Sequence, residues 1–456
     1  MKRIVSFAIC LMMVLILVTG YAGEKTTEKD VRKFEGTVLY MIAEQQTPTV
    51  ALEKQLKKFY DRTGIEVNLE MGPFDNVVQK ITLAMQSGSG QYDIIATPYQ
   101  FLGNLVVNKY IQPLEPLMED ESLRIIDDYN SEDVIKGMWK ASGEWEDVTY
   151  GVSANSCIMF FAFRKDLFEN AVEQEAFKAK YGYELTVPKN WKVHRDVAEF
   201  FTRSAGATLA GETLKSDFYG VSMSGKRHDA TTCEWLNYAW SFGGGIFDDA
   251  GNLIMNGQKN VEALQYYKDL TKFAPPGVSS KTWDEQTTEM QQGIAAMAVI
   301  FNDCVPAIEN PEASLVVGKM GYGAIPVGEK PAAHYGAWSY FIPTTSPNPE
   351  AAWVFLQWFN TPEVQKSLAL DGAFPNLEST YSDPELNTLP YWKATMEAYE
   401  ISTTRPRIPE WNEMNEELML QISRVLADEV DPQTALDNAQ KLFEDLLEGQ
   451  LPVTYQ

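Results

Sequence analysis

The sequence is poor in the residues that build metal centres and disulfide frameworks. Its 456 residues include four cysteines and three histidines. Cys10 falls in an N-terminal apolar run, which leaves Cys157, Cys233 and Cys304 at wide spacing. Metal sites draw on clustered ligands, so no zinc pattern is present. The odd count admits one disulfide with a free thiol, or three buried thiols. His194, His228 and His334 stand apart, no His-Glu-x-x-His occurs, and no serine or cysteine nucleophile motif accompanies them. Positive charge is scarce as well: 38 Lys and Arg face 63 Asp and Glu, a formal net charge of −25. That balance excludes the basic footprint of a nucleic-acid binder and works against adhesion to anionic lipid. Gly88-Ser89-Gly90 precedes a strand and no Gly-Lys-Ser/Thr follows, so it reads as a turn and not as a phosphate loop. Internal repeats and low-complexity linkers are absent too.

One long apolar run exists, at the N-terminus. Lys2 and Arg3 precede a stretch from Ile4 to Val18 that is apolar apart from Ser6, and Gly20-Tyr21-Ala22 follows. This is the form of a secretory signal over residues 1–22, cleaved after Ala22 or Gly23. The run is short against the roughly 20 residues that span a bilayer. No cysteine follows the cleavage region, so a lipid-anchored product is not expected. Residues 23–34 read as a charged, flexible lead-in. The expected product is exported, periplasmic or extracellular, and soluble after cleavage.

The remaining chain is long enough for two or three domains, and 45% of the residues are apolar. Val38 to Ile42 is a continuous apolar run, as in a strand buried on both faces. Val50 to Thr63 has helical spacing and stops at Gly64. Ile65, Val67, Leu69 and Met71 alternate, Asn76 to Ser87 is again helical, and Tyr92 to Ala96 is a third strand. Strands joined in this way by helices form an open twisted sheet that binds ligands at its carboxyl ends. Those ends are 44–47 and 97–100. Further on, Ala295 to Phe301 reads as a buried strand, and the last quarter is largely helical. Pro349 to Phe359 is one helix, Thr361-Pro362-Glu363 opens the next, and Asp431-Pro432 repeats the device. Thr231 to Glu234 has capping-box form ahead of a helix over Trp235 to Phe242.

Taken in order, these segments resemble the extracellular solute-binding proteins of ABC importers, in the maltose-binding-protein-like sugar-binding group. The resemblance rests on the first apolar strand, Phe59-Tyr-Asp-Arg-Thr-Gly-Ile-Glu-Val67, Tyr92-Asp93-Ile-Ile-Ala96, and Tyr150-Gly151-Val152 with Phe163-Arg-Lys-Asp-Leu167. Ser241-Phe-Gly-Gly244, Gly293-Ile-Ala-Ala-Met297, Gly336-Ala-Trp338 before Ile342-Pro343, and Gly372-Ala-Phe-Pro375 continue it. It implies an α/β, two-lobed clamp, each lobe a twisted, mostly parallel sheet flanked by helices, with ligand in the cleft between. It also implies hinge closure that presents a surface to a membrane permease. The expected lobes are 35–149 plus 341–390 and 150–340 plus 391–456.

A sugar offers an apolar CH face and a rim of hydroxyls, so its site needs an aromatic platform and polar groups to pair each hydroxyl. Trp353, Phe355, Trp358 and Phe359 share one helix and are assigned to the core. Trp338 stands where similar proteins place a residue against ligand, beside Gly336, and Trp240 precedes a triple glycine. Asp303 follows a buried strand, where its carboxylate would accept hydroxyl hydrogen bonds. Asn155 falls at the crossing between lobes. Glu44, Gln46, Thr97 and Tyr99 lie at strand ends in the first lobe, and Arg405 sits in a proline-rigid loop. Glu234 is left to capping, and Asp93 to holding local geometry.

The expected function is capture of a sugar or sugar alcohol and its delivery to a permease, by a monomer that uses no cofactor and no metal. The competing class is a secreted glycoside hydrolase, which needs two carboxylates about 5–10 Å apart. With 63 acids the sequence offers such pairs everywhere, so this requirement discriminates nothing.

Overall fold

The computed structural model describes residues 30–453. The signal-peptide reading, its cleavage point and most of the lead-in therefore lie outside the described residues. No helix among the described residues is long and apolar enough to cross a membrane.

Two sheets organise the molecule. The chain opens with β1 (Val38–Glu44), α1 (Thr47–Thr63), β2 (Glu66–Gly72), α2 (Phe74–Ser87) and β3 (Ile94–Pro98). This is the order that hydrophobic periodicity predicts. Pro48 sits in the first turn of α1, where its missing N–H costs nothing, and Gly64 ends the helix in the left-handed region at φ 72°. The Tyr40 backbone N–H and the Ser346 hydroxyl both donate to Asp93, which locks the entry to β3 as expected.

The next strands are β4 (Gly151–Asn155) and β5 (Met159–Arg164), followed by β6 (Tyr219–Ser222) and α3 (Asp229–Ser241). Then come α4 (Trp283–Gln291), β7 (Ala295–Phe301), β8 (Met320–Gly323), β9 (Trp338–Phe341) and α5 (Trp411–Leu426). The first sheet has the order β2-β1-β3-β9-β4 and the second the order β6-β7-β5-β8. Each sheet is mixed. β1 pairs parallel with both β2 and β3, whereas β9 is antiparallel to β3 and to β4. In the second sheet β6 and β7 are parallel and β5 is antiparallel to β7 and β8. Parallel pairing thus runs through the helix-linked strands. Strands that enter from the other lobe arrive antiparallel.

This pairing moves the expected lobe boundaries. Residues 151–155 and 338–340, assigned from sequence to the second lobe, are strands of the first sheet. The crossings lie just beyond them. Ile158 bridges Tyr335, and the Gly336 N–H donates to the Cys157 carbonyl at 2.9 Å, so two crossing segments run side by side.

Helix Pro349–Phe359 is buried from Ala351 to its end, as its aromatic composition predicts. Its Phe355 and Trp358 rings lie 5.2 and 5.0 Å from Phe59 of α1. Each such buried ring contributes on the order of 1.5–3 kcal/mol by removal from water. The capping box expected at Thr231 to Glu234 is not one. The helix begins three residues earlier, the His228 side chain caps it, and Thr231 to Glu234 lie inside it and buried. The reciprocal capping box forms instead at Thr282 and Glu285, at the start of α4. Cys157, Cys233 and Cys304 are all unpaired.

Candidate functional site

Both sheets point their strand ends into one cavity of about 670 Å³, a size that suits a small polar ligand. From the first lobe come Glu44 at the end of β1, Gln46 in the following turn, and Trp338 at the start of β9. From the second come Asp303 just after β7, Asp229 in the first turn of α3, and Trp283 at the start of α4. Arg405 enters from the loop after the short strand Ser402–Thr403.

The walls are aromatic. Phe74, the first residue of α2, meets Trp338 edge-on at 6.0 Å, Trp283 at 5.6 Å and His228 at 5.4 Å. Trp283 in turn meets Phe301 at 6.3 Å. One first-lobe ring is thereby wedged against two second-lobe rings, Trp283 and His228.

The polar groups are carboxylates, amides and one guanidinium. Arg405 Nη1 donates to Asp229 Oδ1 at 2.6 Å, with both side chains almost wholly buried. Asn415 donates to the same oxygen at 2.7 Å. Burial alone would raise Asp229, but Arg405 and Asn415 hold it below the ordinary carboxylate range. Glu44 accepts from Gln46 Nε2 at 2.7 Å. Its pKa is pushed well up, by burial first and then by Asp303, Asp284 and Asp229 nearby. Asp303 accepts from Asn155 Nδ2 at 3.0 Å. Burial pushes it to about 6 against the opposing bonds of Asn155 and Cys157. Burial likewise raises the three cavity thiols, so none is an activated nucleophile. Among the described residues no cluster of His, Cys, Asp and Glu is arranged to hold a metal ion.

Of the residues singled out from sequence, Glu44, Gln46, Asp303, Gly336, Trp338 and Arg405 line the cavity. Gly336 does so by leaving room: a Cβ there would stand 2.3 Å from the Phe301 ring. Four others do not line it. Thr97 is buried opposite Ser339, where β3 pairs with β9. Tyr99 is fully buried, and its hydroxyl accepts from the Arg405 backbone N–H at 2.6 Å, which makes it a prop for that loop. Asn155 is turned inward to Asp303 and to the Phe374 N–H. Trp240 is core, stacked on His334 at 5.7 Å.

Asp229, Trp283 and Phe74 were missed by sequence reasoning. Each is a first-turn helix residue, a position where an acid or an apolar group has an ordinary local explanation. The Thr282-x-x-Glu285 pattern was the available signal, since it fixes Trp283 at a helix start.

The sequence profile of the family described as bacterial extracellular solute-binding protein matches residues 43–366. A probable ABC transporter-binding protein of Deinococcus radiodurans is 27% identical over 281 residues, covering 60% of this chain and 63% of that relative, just under two thirds. An erythritol/L-threitol-binding protein of Mycolicibacterium smegmatis is 22% identical over 375 residues, covering 80% of this chain and 73% of that one. Among solved structures, an ABC transporter solute-binding protein of Agrobacterium radiobacter K84 in complex with ribitol superposes with a TM-score of 0.79. It is 26% identical and covers 90% of this chain and 99% of its own.

Proposed function

The chain belongs to the bacterial extracellular solute-binding proteins, and we propose that it is the extracytoplasmic substrate-binding component of an ABC importer. It captures a sugar or sugar alcohol between its lobes and delivers it, unaltered, to the membrane permease. The observation that carries this reading is the convergence of Glu44, Asp303 and Arg405 with the Trp338 and Trp283 rings on one cavity, supplied by both lobes. Carboxylates and a guanidinium pair hydroxyls by charge-assisted hydrogen bonds, and the rings cover the CH face. The likeness to relatives and structures named for erythritol, threitol and ribitol supports a polyol or small sugar as the ligand. Export by the signal over residues 1–22 and action as a monomer belong to the same reading.

Catalysis is not needed to explain the cavity. Its one strong ion pair, Arg405 with Asp229, is already satisfied within the protein, and its thiols are held neutral. The test is a thermal-shift screen against sugars and polyols, followed by chemical analysis of the recovered ligand. Stabilisation that saturates, by about 2.7 kcal/mol at 100 times Kd, with ligand recovered intact, supports a binder. Conversion of any sugar to product contradicts it.

A further inference from the structure

The cavity holds more buried carboxyl groups than its own cations pair. The Arg405 charge is paired with Asp229. Lys54 stands at the exposed rim and is engaged by Asp371 at 3.2 Å. Glu44 and Asp303 have no cationic partner among the described residues, although they are 6% and 9% exposed. Glu44 Oε2 is held by the neutral Gln46 amide. Asp303 is held by the neutral Asn155 amide. Buried carboxyl groups are normally paired with a cation or held neutral, and these two come from opposite lobes toward one space. Phe74, Trp283, Trp338 and Phe301 line the same cavity, and aromatic rings attract a cation placed over their faces.

Resting on the carbohydrate reading above, we infer that the ligand is a polyhydroxylated compound carrying an ammonium group, an amino sugar or aminated polyol. Its nitrogen lies between Glu44 and Asp303, and its hydroxyls face Arg405 and the amides. The same arrangement rejects anionic relatives such as sugar acids and sugar phosphates, because a second negative group would enter beside two unpaired carboxylates.

The experiment is isothermal titration of the mature protein at neutral pH with matched pairs. Pentitols, hexitols and hexoses are each compared with their amino-deoxy counterparts. The aminated member of the best pair is expected to bind about tenfold tighter or more, which corresponds to ~1.4 kcal/mol. In Glu44→Gln and Asp303→Asn that ratio is expected to fall toward one. Thermal unfolding checks that each variant is folded, and both substitutions are isosteric. If a neutral member binds as tightly as its amine, or if the ratio survives in both variants, the inference is overturned while the carbohydrate reading stands. If no member of either series binds, both fall.

Discussion

Asn155, the last residue of a first-sheet strand, donates its side-chain amide to Asp303, on the loop that follows the central strand of the second sheet, at 3.0 Å. The same side chain accepts the Phe374 backbone N–H at 2.9 Å. One buried amide thus ties a cavity carboxylate to the strand that ends at Asn155 and to the segment around Phe374. Asn155→Leu keeps the volume and removes both bonds, leaving Asp303 with the Cys157 thiol alone and the Phe374 N–H without its partner. Chemical denaturation is expected to show a loss of about 2–6 kcal/mol, from roughly 1–3 kcal/mol for each of the two groups that lose a bond. Ligand affinity should fall with it. Unchanged affinity would mean that Asp303 does not need this tie.

The Arg405–Asp229 pair predicts strong non-additivity. Removing either partner leaves a buried charge alone, at a cost of about 3–5 kcal/mol. Arg405→Met and Asp229→Asn should each destabilise by that order, and the double variant by clearly less than the sum. Equilibrium unfolding of the four proteins closes the cycle. Simple additivity would show that the two side chains do not act as a unit.

The two tryptophans separate ligand contact from packing. Trp338 lines the cavity, while Trp240 is stacked on buried His334. Trp338→Ala should cost at least tenfold in affinity, consistent with aromatic contact beyond area burial of about 0.5–1.5 kcal/mol together with lost apolar area. Trp240→Ala should lower stability by about 3–5 kcal/mol. Titration calorimetry beside thermal unfolding tells them apart. The account is wrong about these residues if the two profiles are interchanged.

This pair also shows what the sequence made legible. Helix and strand periodicity placed the first five elements within a few residues, and the strand ends pointed to Glu44, Gln46 and Asp303. Trp240 read as a candidate because it precedes a triple glycine, although burial in its helix explains it equally well, and the structure puts it in the core. Asp229 and Trp283 were invisible for the converse reason. Both occupy helix starts, where local capping already accounts for the residue type, and only the meeting of two lobes makes them neighbours of Glu44. Glu234 is the sharpest case. Read locally it was a cap, yet it is a buried acid that accepts from the Ser224 N–H and the Gln286 amide.

Glu234 carries a pH prediction. Burial raises its pKa from 4.5 to about 8, against the opposing bonds from Ser224, Tyr267 and Gln286. A carboxyl with a raised folded-state pKa binds its proton more tightly when folded. Its stabilising contribution is therefore complete below its ordinary value and is lost as pH rises through about 8. Glu234→Gln cannot ionise. Its thermal midpoint relative to the native protein should rise as pH increases across that window. A constant difference would show that Glu234 titrates normally.

The most direct measurement is a crystal structure of the protein grown with the tightest-binding member of the carbohydrate panel. The account predicts one intact ligand in the cavity, its CH face on the Trp338 and Trp283 rings and its polar groups on Glu44, Asp303 and Arg405. Ligand bound elsewhere, or this cavity empty at saturating ligand, would contradict it.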